Sequence, residues 1–163
     1  MSDQGRKDMQ VVTVIPTPGI DTKVSGVYED TQVVPPEALP GGAILLRFIQ
    51  SQYLTGAWPK TLKANWTEDL PNITTSEGAR RVEQCYTAAQ QRAGALIQQN
   101  NILQYGTDTT TWPASEQQRY AEMQRGLDFI HAMSAAQQSI VSQGVLNPCD
   151  DQYWPAPIDP IQL

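Results

Sequence analysis

Charge is scarce in this sequence. Only 17 % of its residues are Asp, Glu, Lys or Arg, against about a quarter in typical domains. Basic residues form no stripe; the densest point is Arg80-Arg81, with Glu77 and Glu83 beside it. A phosphate backbone is tracked by clustered Lys and Arg, so nucleic-acid binding is not expected, and the net charge of −6 argues the same way. Long apolar runs are also missing. None approaches the roughly 20 residues of a membrane span. The opening MSDQGRKDMQ lacks the apolar segment of a secretory signal, so the expected site of folding is a cytoplasm.

Histidine occurs once and cysteine twice. Cys85 and Cys149 are too few and too far apart for a zinc ribbon or a redox Cys-x-x-Cys. In a reducing compartment both are expected as thiols. A Cys85–Cys149 disulfide is the alternative, and it would staple the tail to the first helix. His131 stands beside Ile130 near an apolar stripe, where a half-buried, hydrogen-bonded imidazole is the plainer reading than a ligand or base. Glu68-Asp69 and Asp150-Asp151 are adjacent pairs whose side chains point apart, which does not suit paired acid–base work. No Gly-x-Gly-x-x-Gly, Walker A or Gly-x-Ser-x-Gly occurs. The triplets NWT and NIT match glycosylation acceptors but have no secretory context. Catalytic, metal and cofactor-binding residues are therefore expected to be none.

Proline and glycine divide the chain. Four zones are expected: a polar flexible lead (1–10), an extended or short-strand attachment region (11–71), a helical hairpin (72–146) and a Pro-rich C-terminal docking tail (147–163). The fold class is mainly α with a small β or extended N-terminal part, an α+β mix. Val11 to Ile15 (VVTVI) reads as a strand; KVSGVY and TQVV are shorter candidates. Residues 43–54 fit strand or helix, and the alternation of Ile44, Leu46 and Phe48 favours a strand over 43–49 followed by a turn of helix. Pro16, Pro18, Pro35, Pro36 and Pro40 argue against a large regular sheet.

In the helical zone Thr74 and Glu77 have capping-box spacing. Val82, Tyr86, Ala89, Ala93 and Leu96 then form one apolar stripe on a helix of about six turns. Ala89 and Ala93 would allow close approach, and Asn100-Asn101 would stop the helix. A second box, Ser115 to Gln118, opens a helix striped by Tyr120, Met123, Leu127, Ile130, Ile140 and Val141 and ended by Gly144. Between the helices, Ile102 and Leu103 are expected to fold back over the open end, with Gly106 turning and Trp112 lying across the tip.

The stretch RRVEQCYTAAQQRAGALIQQNNILQYGTDTTTWPASEQQRYAEMQRGLDFI resembles a helical-hairpin module of bacteriophage tail-fibre, baseplate-associated and tail-assembly proteins. The matching residues are Ile102, Tyr105, Gly106, Trp112 and Ser115, and the resemblance covers roughly a third of the chain. It implies a virion structural component, or an assembly helper, without catalysis. The partners would be other virion structural proteins, in a homo-oligomer or multi-copy assembly, and the location the virion, assembled in the host cytoplasm. A tail or fibre assembly chaperone is the alternative, and a small enzyme of unrecognised type a further one. Three Trp-Pro dipeptides, and a tail rich in polyproline-forming residues, mark expected partner-binding positions: Trp58, Trp112, Tyr153, Trp154, Pro155 and Ile158.

Overall fold

The computed structural model describes residues 8–14, 18–29, 31–39 and 41–163. Ile15, Pro16 and Pro40 of the expectations above, with the first seven residues of the lead, lie outside them. The described residues form an α+β mix with three α-helices and two three-stranded antiparallel sheets. They divide into two compact units: Met1–Glu77 with Gln137–Trp154, and Gly78–Ala136 with Pro155–Leu163.

In the first unit, β1 (Asp8–Val14) lies between β3 (Gly26–Glu29) and β4 (Ala43–Gln50). The strand thus starts inside the expected flexible lead, where Met9 pairs with Glu29 and Gln10 with Tyr28. A second small sheet runs β2 (Thr22–Lys23), β6 (Thr61–Leu62), β5 (Leu54–Thr55). Of the shorter candidates, KVSGVY contributes to β2 and β3, whereas Thr31–Val34 forms no strand. The segment after β4, Ser51–Tyr53, is one turn of 3-10 helix, as expected.

The alternation along β4 breaks at a bulge. Val11 pairs with Leu46 and Met9 with Ile49, so Arg47 and Phe48 together face Gln10. Phe48 takes up the extra residue at φ 65°, in the left-handed region. An inserted residue reverses which face the following side chains occupy. Leu46 and Ile49 are consequently both fully buried, while Phe48, expected to continue the buried face, is only half-buried. Val11, Val24, Leu46, Ile49, Tyr53, Leu62, Trp66, Ile73 and Cys149 form one core. Each large side chain so buried contributes about 1.5–3 kcal/mol.

The expected first helix is two helices. α1 (Leu70–Cys85) starts four residues before Thr74, behind a 3-10 segment over Ala64–Asp69. Thr74 is an interior residue whose hydroxyl donates to the Leu70 carbonyl at 2.7 Å, so it is no cap. α2 (Ala88–Tyr105) carries the box instead: the Thr87 Oγ1 accepts from the Gln90 N–H at 3.1 Å, and the Gln90 Oε1 accepts from the Thr87 N–H at 2.9 Å. This restart resets the helical phase. Ala89, Ala93 and Leu96 of the expected stripe face outward, and Gly94, Ile97 and Asn101 turn inward. Asn101 stops nothing; its amide donates to Glu116 Oε2 at 2.8 Å, and α2 runs on through Ile102 and Leu103 to Gly106 at φ 87°. Leu103, expected to fold back over the tip, is 81 % exposed.

α3 (Ala114–Ser142) begins one residue before Ser115, which is therefore not its cap. It buries Met123, Gly126, Phe129, Met133 and Ile140; Leu127 and Val141 of the expected stripe remain partly exposed. After α3, Gly144 sits at φ 63°, its N–H donating to Val141 and that of Val145 to Ile140, the Schellman pattern.

In the second unit the close approach falls on glycines rather than the expected alanines. A Cβ on Gly94 would lie 2.8 Å from Met123 Sδ, and one on Gly126 2.5 Å from Tyr86 Cδ1. Tyr86 is buried where α1 ends, and its ring occupies the space that a larger residue 126 would need. Gly126→Ala is expected to lower stability by a net ~1–2 kcal/mol: overpacking costs about 1–3 kcal/mol, and alanine in a helix interior returns up to about 1. Gly41→Ala, with nothing within 4 Å, should stay within about 0.5 kcal/mol. Urea unfolding followed by circular dichroism measures both, and in a Tyr86→Leu background the sign at residue 126 should reverse.

Candidate functional site

Three places in the two units gather polar or exposed apolar groups. The first surrounds the β4 bulge. There the Arg47 N–H, turned out of the sheet ladder, donates to the Cys149 sulfur at 3.3 Å. The Arg47 guanidinium reaches Glu77 at 3.2 Å, and the Glu77 side chain is fully buried. A cavity of about 280 Å³ lies beside them, lined by Leu39, Ile44, Arg47, Asn147, Cys149 and Asp150 among others. Its polar groups have structural duties: Asp150 Oδ1 accepts from the Gln152 N–H at 3.0 Å and caps the turn Asp151–Tyr153. The ion pair and the thiol contact hold the bulge, the middle of α1 at Glu77 and the segment after α3 together.

The second place is the far end of α2 and α3. The Trp112 ring is 3 % exposed; its indole N–H donates to the Gly106 carbonyl at 2.9 Å. It meets Tyr120 edge-on, with centroids 5.5 Å apart and planes at 74°. Asp108 caps the turn Thr109–Thr111 through the Thr110 N–H at 3.0 Å. The hydrogen bonds from the Thr110 side chain and backbone hold the Asp108 carboxyl below its ordinary range. Gln117 closes the turn by donating to the Trp112 carbonyl at 2.8 Å. The Trp112 ring is thus spent on its own unit, on the Gly106 carbonyl and the Tyr120 ring.

The third place is the outer face of α2. Ala95, Gln98, Gln99, Ile102 and Leu103 line an open groove of about 300 Å³. Leu96 is 61 % exposed and Leu103 81 %. No residue from Ala93 to Thr107 carries a charge. Large apolar side chains grouped on an uncharged, solvent-facing helix surface mark an interaction site more often than a single exposed leucine does.

The six expected partner-binding residues are not gathered together. Trp58 is 66 % exposed in the loop between β5 and β6. Trp112 is buried as described. Trp154 is buried in the first unit, its indole N–H donating to the Pro148 carbonyl at 2.7 Å. Tyr153, Pro155 and Ile158 are half-buried. The tail residues after Trp154 are fastened within the second unit. The Ile161 N–H donates to the Cys85 carbonyl at 2.8 Å, its carbonyl accepts from Gln90 Nε2 at 2.7 Å, and its side chain is buried. Glu122 accepts from the Gln162 N–H at 3.0 Å, and Arg125 donates to the Asp159 carbonyl at 2.8 Å.

His131, expected half-buried, is exposed on α3; Met123 and Ile140 of the expected stripe are buried, but between them Phe129 and Met133, rather than Leu127, take the interior positions. Cys85 and Cys149 are both buried, and no disulfide joins them. Among the described residues no three His, Cys, Asp or Glu side chains group as metal ligands would. No helix among them is long and apolar enough to cross a membrane. The restart at Thr87-Ala88-Ala89-Gln90, which also has capping-box spacing, sets the inner face of α2 one position later than the expected stripe and turns Ala95, Leu96 and Leu103 outward.

Comparison with protein-family models, with curated proteins and with solved structures found no match to this chain.

One pH dependence follows from the tail. The hydrogen bond from Arg125, then that from the Gln162 N–H, hold the Glu122 carboxyl below its ordinary range. A carboxyl lowered on folding stabilises the folded chain above its unfolded pKa, about 4.3, and loses that effect as pH falls through its folded value. The stability difference between the parent chain and Glu122→Gln should be constant above about pH 5 and shrink below about pH 4. Urea midpoints across this range check it, with protease sensitivity of Pro155–Leu163 as the local readout.

Proposed function

We propose that this chain is a non-enzymatic structural subunit of a bacteriophage virion, in a tail, baseplate, fibre-attachment or neck position, working through protein–protein contacts. In this reading the contacts with neighbours are made by surface that the chain's own fold leaves exposed, because the Pro-rich region and the tail are largely spent on their own units. The observation that carries the reading is the uncharged outer face of α2, where Leu96 and Leu103 are left in solvent. An apolar surface of that kind is costly in a chain that stays alone and is covered in a chain that lives among copies or neighbours. The low overall charge has the same sense, since crowded subunits with few charges repel little. The resemblance of Arg80 to Ile130 to the phage hairpin module supplies the class of assembly. Trp58, exposed at a loop, is a further anchor of the aromatic type enriched at interfaces.

Quantitative mass spectrometry of purified particles tests the reading. A structural subunit is present at a fixed ratio to the other virion proteins. A chain found in infected cells but absent from particles is instead an assembly chaperone, and the subunit reading fails.

A further inference from the structure

The outer face of α2 has a pattern that says what covers it. Ala88, Arg92, Ala95, Gln99 and Ile102 follow one another at heptad-like spacing, and all are exposed. Leu96 and Leu103 flank them. This is a seam of the kind that receives a second helix, on the side of α2 opposite Gly94, Ile97 and Asn101. The seam carries a single charge, Arg92, near its start, and Asp108 lies just beyond its end.

We propose that this face pairs with the same face of a second copy of the chain, the two α2 helices running antiparallel about a two-fold axis at Gln99. The pairing deepens the virion reading by naming the partner, and it rests on that reading. Its argument is self-complementarity. A two-fold axis at Gln99 sets Ala95 opposite Leu103 of the second copy, a small residue against a large one, twice. It sets Leu96 opposite Ile102. It brings the two Gln99 amides together, each able to donate and accept. Arg92 then falls at the C-terminal end of the second copy's α2, where carbonyl dipoles and the exposed Asp108 carboxylate favour a cation.

Charge argues for a second copy over a foreign partner. The chain carries −6 net, so two copies repel at most of their surface. The stretch Ala93–Thr107 adds nothing to that repulsion, and the Arg92–Asp108 relation offsets part of it. A basic partner would find no acidic residue on the seam, and an acidic one only Arg92. An 18-residue helix is about 27 Å long. A pair of that length covers less than a standard interface, so the expected dimer is weak, micromolar rather than nanomolar.

Sedimentation velocity of the full chain, from low micromolar to near-millimolar concentration, is the test. A monomer–dimer equilibrium is expected. Leu103→Arg, at a residue 81 % exposed and so harmless to the fold, should weaken it at least about 30-fold. Arg92→Glu should weaken it, and adding Asp108→Arg to that variant should restore it. Gln99→Cys should form a disulfide-linked dimer on mild oxidation, while Gln104→Cys should not. A chain monomeric at every concentration overturns the pairing, as does a dimer that Leu103→Arg leaves unchanged or one in which Gln99→Cys does not cross-link. Any of these three results leaves the virion reading intact if the chain is still counted in particles.

Discussion

The contact on which the second unit depends is that of the Tyr86 ring with two residues that have no side chain. Tyr86 ends α1 and meets Gly94 of α2 and Gly126 of α3. A methyl group at Gly126 would run into the Tyr86 ring itself, and one at Gly94 would meet the Met123 sulfur and the Tyr86 hydroxyl. Burial pushes the Tyr86 phenol above its ordinary value, as a hydroxyl facing Gly94 and away from water requires. Placing Gly94 inward determines the rest of α2. Ile97 and Asn101 follow it in, and Ala95, Leu96, Gln99 and Leu103 are carried out. The exposed face that carries the functional reading is thus a consequence of the buried one.

The same logic shows what the sequence made legible. The strand over 43–49, the turn after it and the left-handed Gly144 each depend on local chemistry: alternation, turn propensity, a missing Cβ. Local rules suffice where the structure is locally determined. The helix starts depended on competition. Thr74 and Thr87 have the same capping spacing, and Thr74 lost because Asp69 and the 3-10 segment before it had already begun the helix. Buried Asp69 accepts from Asn72 at 2.6 Å and from Gln50 at 2.9 Å, so the start of α1 is tied to a strand far away in sequence. No window of neighbouring residues contains that information.

The bulge in β4 was hidden for a related reason. Its extra residue is needed because of β1, and because the Arg47 N–H finds Cys149 once it leaves the ladder. Inserting one residue reverses every later side chain, so Phe48 gave up the core position to Ile49. The candidate site was less legible than the fold. The Trp-Pro pairs were expected at the site, yet Trp112 and Trp154 spend their indole N–H groups on Gly106 and Pro148 of their own units. Surface that is free for another chain lies where no aromatic motif stands, on a helix of alanine, glutamine, leucine and isoleucine.

Tyr86 against Gly126 is open to a direct reading. In the proton NMR spectrum one Gly126 Hα should resonate far upfield, since it lies over the Tyr86 ring, and the Met123 and Gly94 signals should move with it when Tyr86 is changed to Leu. Gly126 protons at ordinary random-coil positions, unmoved by that change, would mean that the ring does not sit there, and the assignment of α2's inner and outer faces would go with it.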